Sequence, residues 1–119
     1  MALQENIQTY TYESEAAIAQ YVAVIPSATI PRGCVTAGAG ATKVLGVTIQ
    51  AVSAANRAIA VAKGGIVKAK AGAAVALGAI VTTDSTGRAV TGASGFGVAI
   101  TAAGAANEII EVQWGPVPI

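Results

Sequence analysis

The chain has no histidine, and among its 119 residues it has one each of cysteine, tryptophan, phenylalanine and methionine. Without histidine there is no His-dependent triad or dyad, and the commonest metal ligand is missing. Cys34 alone can neither close an internal disulfide nor build a zinc site. Within Gly33-Cys34-Val35 it reads as a small buried hydrophobe rather than a reactive thiol, and a single thiol fits cytosolic synthesis. No cofactor is expected. Charge is also scarce, at 11% of residues, against about 25% in an ordinary soluble domain. The net charge of +1 leaves no footprint for nucleic acid, which needs clustered Lys and Arg. The nearest cluster, Lys63, Lys68 and Lys70, reads as solvated lysines of strands or turns. Glu13 and Glu15 share a strand face but lie near the terminus, and Glu108 and Glu111 fall on opposite faces. No carboxylate pair is therefore placed for acid–base work. Long apolar runs are missing too. The longest uncharged stretch, Ala89 to Asn107, holds four glycines and alternates like a strand, whereas a membrane-spanning helix needs about 20 predominantly apolar residues. The opening MALQENIQTYTYE has no basic region and no apolar segment, so a signal peptide is not expected.

What the chain has is alanine and glycine, 28 and 14 residues. Alanine adds little buried area, so a single domain of this length has a thin core, and thin cores often gain stability by oligomerising. The chain also nearly repeats itself. Gly46 to Gly65 reads GVTIQAVSAANRAIAVAKGG, and Gly97 to Pro116 reads GVAITAAGAANEIIEVQWGP, with ten of twenty positions identical. Each copy holds two apolar runs around a small-residue turn, which predicts two related β-hairpins. Asn56 and Asn107 fall at matching turn positions, where asparagine tolerates positive φ.

From Tyr21 onward short apolar runs alternate with Gly, Asn or Pro punctuation, which predicts an all-β barrel or sandwich. Asp84-Ser85-Thr86-Gly87 predicts a type I turn, with Asp84 opening it and Gly87 closing it. Ala73 to Leu77 is alanine-rich, so one helical turn near 72–77 is an option. The tail Gly115-Pro116-Val117-Pro118-Ile119 is not expected to continue a central strand. Gly38 to Lys43 lacks the order of a phosphate loop, and Gly92, Gly95 and Gly97 read as turn residues. Residues 1–20 differ in kind: they carry Glu5, Glu13 and Glu15, and Thr alternates with Tyr over residues 8–13. They read as an extended N-terminal arm on a domain spanning 21–119, with Gln8, Tyr10, Tyr12 and Glu13 as candidate partner contacts.

Leu45-Gly46-Val47, the run Leu77 to Val90, Phe96-Gly97-Val98-Ala99 and the closing Glu111-Val112-Gln113-Trp114 resemble the small capsid decoration (cement) proteins of tailed bacteriophages. The resemblance covers about residues 20–115. It implies a β-barrel or sandwich made in the bacterial host cytoplasm that forms homotrimers and clamps the major capsid protein on the outside of an expanded head. It implies no enzyme activity, membrane or small-molecule substrate. The arm would then add a strand to a coat sheet. A second reading from another class is a carbohydrate- or receptor-binding β module, such as the base of a head fibre.

Overall fold

The computed structural model describes residues 8–117, with side-chain surroundings through residue 115. Ten strands follow in order: β1 (Gln8–Ser14), β2 (Ala23–Pro26), β3 (Gly33–Thr36), β4 (Gly46–Thr48), β5 (Ala58–Lys63), β6 (Ile66–Lys70), β7 (Ile80–Thr83), β8 (Ala89–Thr91), β9 (Gly95–Ala99) and β10 (Ile109–Val117). The first five close into a barrel in the order β1-β3-β2-β4-β5, and the last five form an open sheet in the order β6-β10-β9-β7-β8.

The repetition seen in the sequence is one part of a duplication that runs through the fold. Thr48 pairs with Val61 as Ala99 pairs with Val112, both 51 residues on. Val24 pairs with Gly46 as Val81 pairs with Gly97. Ile25 pairs with Val35 as Thr82 pairs with Val90, and Tyr12 pairs with Ile59 as Ala69 pairs with Ile110. Outside the strands, Ile18 bridges Val52 as Val75 bridges Ala103. Asn56 N–H donates to the Ser14 carbonyl at 2.7 Å, and Asn107 N–H to the Ala71 carbonyl at 2.7 Å. Strands β1–β5 and β6–β10 are thus two copies of one five-stranded unit. Gly46 and Gly97 occupy the same crowded position. A Cβ on Gly46 would strike the Ala62 carbonyl and Val61 Cγ1, and one on Gly97 the Gln113 carbonyl and Val112 Cγ1.

Residues 8–14 are β1, a stave of the first barrel, which corrects the expected detached arm over this stretch; residues 1–7 lie outside the described residues. β1 runs antiparallel to β5 from Gln8↔Lys63 to Glu13↔Ala58 and parallel to β3 at Glu13↔Gly33 and Ser14↔Cys34. The Thr/Tyr alternation is the two faces of this stave: Thr9, Thr11 and Glu13 are exposed, Tyr10 and Tyr12 half-buried, and Ser14 buried. Ser14 Oγ donates to the Ala54 carbonyl at 2.9 Å and accepts from Arg57 N–H at 3.1 Å.

No helix forms among the described residues, so the helical turn near 72–77 is corrected as well. Val75 exchanges N–H···O bonds of 2.9 Å with Ala103 in both directions, and Gly78 N–H donates to the Ala99 carbonyl at 2.8 Å. A single turn flanked by Gly72 and Gly78 cannot repay the cost of helix nucleation against these sheet bonds. β10 also runs further than expected, through Gly115 and Pro116 to Val117. It does so across a register shift between Trp114 and Val117, where proline's missing N–H is tolerated.

Two apolar clusters result. Ile18, Val22, Val24, Cys34, Ile59 and Val61 fill the first barrel. The second cluster lies under the open sheet, around Val67, Val81, Phe96, Ile110 and Val112, and takes in Val47 and Ala62 from the outer face of the first barrel. The two units are therefore packed as one body. The buried hydroxyls are all bonded: Thr48 Oγ1 donates to the Ala19 carbonyl at 2.7 Å, and Thr83 Oγ1 to the Gly38 carbonyl at 2.6 Å. No buried side-chain N or O among the described residues lacks a partner.

Candidate functional site

The predicted turn residues adopt the conformations their positions require. Asn56 has φ 61° and Asn107 φ 72°, and Gly87 has φ 77°. Gly87 N–H donates to the Asp84 carbonyl at 3.2 Å. Asp84 Oδ1 accepts from the N–H of Thr86 and of Arg88, each at 2.9 Å, and from the Thr86 hydroxyl at 3.0 Å; Arg88 Nε donates to Oδ2 at 3.0 Å. Partial burial pushes the Asp84 carboxyl up, but these donors and the Arg88 charge outweigh it and hold the group below the usual carboxylate range. Arg88 Nη1 also donates to Asn107 Oδ1 at 3.1 Å, tying two of the predicted turns together. These bonds fix the backbone of the two turns. Cys34 is buried, and burial pushes its thiol up to about 11, so it is inert at neutral pH.

The four candidate contact residues lie along β1. Tyr10 donates its hydroxyl to Gln8 Oε1 at 2.7 Å, and the Lys63 ammonium stands 5.7 Å from the Tyr10 ring centre. The Arg32 guanidinium stands 5.5 Å from the Tyr12 ring centre, and its Nε donates to the Thr11 carbonyl at 3.1 Å. Because β3 pairs with β1 only at Glu13 and Ser14, no strand of the described residues pairs with the opposite edge of Gln8–Tyr10. Thr11, Tyr12 and Glu13 instead wall a shallow concavity of about 440 Å³ with Pro31 and Arg32.

A larger cleft, about 520 Å³, opens where loop 40–44 of the first unit meets residues 92–96 and Trp114 of the second. Its aromatic wall is Phe96 and Trp114, with ring centres 5.8 Å apart and planes inclined at 43°. The sequence reading passed over this pair. The duplication carries a signal for it: in register, Phe96 stands where the first unit has Leu45, and Trp114 where it has Lys63. The rare aromatics mark a difference between two otherwise similar copies. Tyr21 and Arg32, with φ 60° and 56°, were also missed; their second-unit counterparts are Gly78 and Gly87, and only the aligned copies reveal the shared left-handed geometry.

Among the described residues no three His, Cys, Asp or Glu side chains meet to hold a metal, and no helix is long and apolar enough to cross a membrane. The described residues form a duplicated all-β structural module with concave surfaces on it. The family model for phage cement proteins matches residues 3–114, and the chain belongs to that family. It is accordingly a non-enzymatic structural protein of the phage virion surface, built on a β-barrel. No curated protein sequence matches it. Among solved structures it is similar to the head fiber gp8.5 N base of bacteriophage phi29, with a TM-score of 0.76 and 16% identity, over 92% of this chain and 94% of that one.

Proposed function

We propose that the chain seats on the outside of a phage head, against the major capsid protein of the same phage, and works there as a base of the head-fibre type. The observation that carries this reading is the likeness to the phi29 head-fibre base over nearly the full length of both chains. The cleft lined by Phe96 and Trp114 supports it, since a concave aromatic wall suits a glycan or receptor segment. A cement role, clamping neighbouring coat subunits of the expanded lattice, is the second reading, and family membership favours it. Both readings share the seat on the capsid and a homotrimer, in which several weak coat contacts add through avidity. The edge of Gln8–Tyr10 that no described strand pairs with is the place for coat contact, where main-chain bonds to a coat strand supply affinity and Tyr10 supplies area. Tyr12 and Glu13 lie beyond that edge, in the concavity.

Expanded heads lacking the protein, with and without added protein, test and separate the two readings. The base reading predicts decorated heads whose rupture temperature is unchanged, because a contact made within one coat subunit survives when neighbouring subunits part. The cement reading predicts a raised rupture temperature, because a ligand that binds only the intact lattice stabilises it by mass action. Heads that remain undecorated defeat both.

A further inference from the structure

The two units differ in three ways that meet at one place, the cleft beside Trp114. The first difference is length. Between the counterparts Val35 and Gly46 the first unit has ten residues, and between Val90 and Gly97 the second has six. The longer loop reaches onto β7 of the second unit. Gly40 N–H donates to the Thr83 carbonyl and Ala41 N–H to Thr83 Oγ1, both at 2.9 Å. Thr83 Oγ1, itself buried, donates in turn to the Gly38 carbonyl at 2.6 Å. The second difference is this bracket: in register Thr83 stands where the first unit has Pro26, which has no hydroxyl. The third is the aromatic pair, Phe96 and Trp114 in place of Leu45 and Lys63.

The bracketed loop and the aromatic pair both line the cleft of about 520 Å³. That volume lies within the range of small-molecule sites, about 300–1,000 Å³. Phe96 is buried and packs against Trp114, which is half-buried and keeps part of its surface open. The lining also carries three hydroxyls, those of Thr42, Thr82 and Ser94. Neither these hydroxyls nor the Trp114 indole N–H has a hydrogen-bond partner among the described residues. No lining residue is charged. Several main-chain donors of the lining are already taken. Gly40 and Ala41 spend theirs on Thr83, Gly92 N–H donates to the Ile80 carbonyl at 2.9 Å, and Trp114 N–H to the Gly65 carbonyl at 2.8 Å.

We propose that this cleft binds a neutral sugar, a pyranose residue of a glycan stacked on Trp114. A pyranose ring shows C–H groups on one face and hydroxyls around its edge. The indole takes the C–H face and its N–H remains available to an oxygen. The Thr42, Thr82 and Ser94 hydroxyls, each both donor and acceptor, match sugar hydroxyls that are the same. A charged ligand would give up its water with no counter-charge in the lining to replace it. An extended peptide brings an N–H and a C=O at every residue, and the donors at Gly40, Ala41 and Gly92 are not free to meet it. The proposal rests on the head-fibre-base reading and names the ligand class of its cleft. It is tested on free protein, so failure to bind sugar and failure to bind heads are separate results.

Trp114 is the chain's one tryptophan, so selectively excited indole emission reports on this cleft alone. Free protein is titrated with the neutral trisaccharides cellotriose, maltotriose, mannotriose and triacetylchitotriose, and separately with trigalacturonate and with hexaproline. At least one neutral trisaccharide is expected to shift the Trp114 emission saturably, and trigalacturonate and hexaproline to leave it unchanged. The double variant Thr42→Ala with Ser94→Ala changes two exposed side chains. It should bind that sugar about tenfold more weakly, through two lost hydrogen bonds, with an unchanged β spectrum in circular dichroism. Trp114→Ala, read by saturation-transfer NMR because the indole is gone, should lose the sugar altogether. No response to any neutral trisaccharide would overturn the proposal. So would a response to trigalacturonate or hexaproline as strong as to any neutral sugar, or a folded double variant that binds as tightly as wild type.

Discussion

Deleting residues 1–14 should unfold the first barrel rather than release a spare arm. β1 pairs with β5 at six register positions. At a net ~0.5–1.5 kcal/mol per bond, losing about six bonds costs roughly 3–9 kcal/mol. Ser14 adds a buried anchor, since its Oγ and backbone hold Ala54, Asn56 and Arg57. The deletion also bares one side of Ile59 and Val61, both fully buried; full exposure of each would cost about 1.5–3 kcal/mol. The total reaches the whole stability of an ordinary domain, about 5–15 kcal/mol. Circular dichroism during thermal melting, with hydrogen exchange at β4 and β5, reads the outcome. Wild type should melt cooperatively. The truncated chain should have lost β signal and rapid exchange in β5. A truncated chain that melts like wild type, with β5 amides still protected, would refute the reasoning and return residues 8–14 to the role of a detachable arm.

Gly46→Ala and Gly97→Ala should destabilise by similar amounts, about 1–3 kcal/mol or more from overpacking, because each new methyl meets a neighbouring backbone carbonyl; denaturant midpoints that differ widely would break the equivalence of the units. The folded Asp84 carboxyl is held below its ordinary value of 3.8. Its contribution is therefore present above that value and lost as pH falls through the lower folded value, and Asp84→Asn should flatten the acid limb of a stability–pH curve without changing its neutral-to-basic part. Cys34, buried and pushed up to about 11, should react with a thiol reagent at neutral pH only at the rate of unfolding; fast labelling of native protein would contradict its burial. Tyr10→Ala should weaken head binding by on the order of 1–2 kcal/mol while leaving the free protein's mass unchanged, read by titrating heads with each form.

Much of this fold was legible because its signals are local. Turn chemistry placed Asn56, Asn107, Asp84 and Gly87, and the strict offset between Gly46–Gly65 and Gly97–Pro116 revealed the β4–β5 and β9–β10 hairpins. The remaining duplication was hidden because β1 and β6 share register rather than residues. Tyr10 and Tyr12 stand where the second unit has Val67 and Ala69, so the first stave looked like foreign sequence. The alternation was read correctly as a strand, but its partner lies some fifty residues away in β5 and leaves no local trace. Helix propensity at Ala73–Leu77 yielded to long-range bonds with Ala99 and Ala103. The Phe96–Trp114 cleft forms only when two units meet, which no window of sequence contains.

The central claim is a seat on the capsid exterior, and quantitative co-sedimentation with purified phage heads tests it most directly. Expanded heads lacking the protein should bind it saturably, and unexpanded heads should not. Protein that stays in the supernatant with both kinds of head, while remaining folded by circular dichroism, would contradict the account.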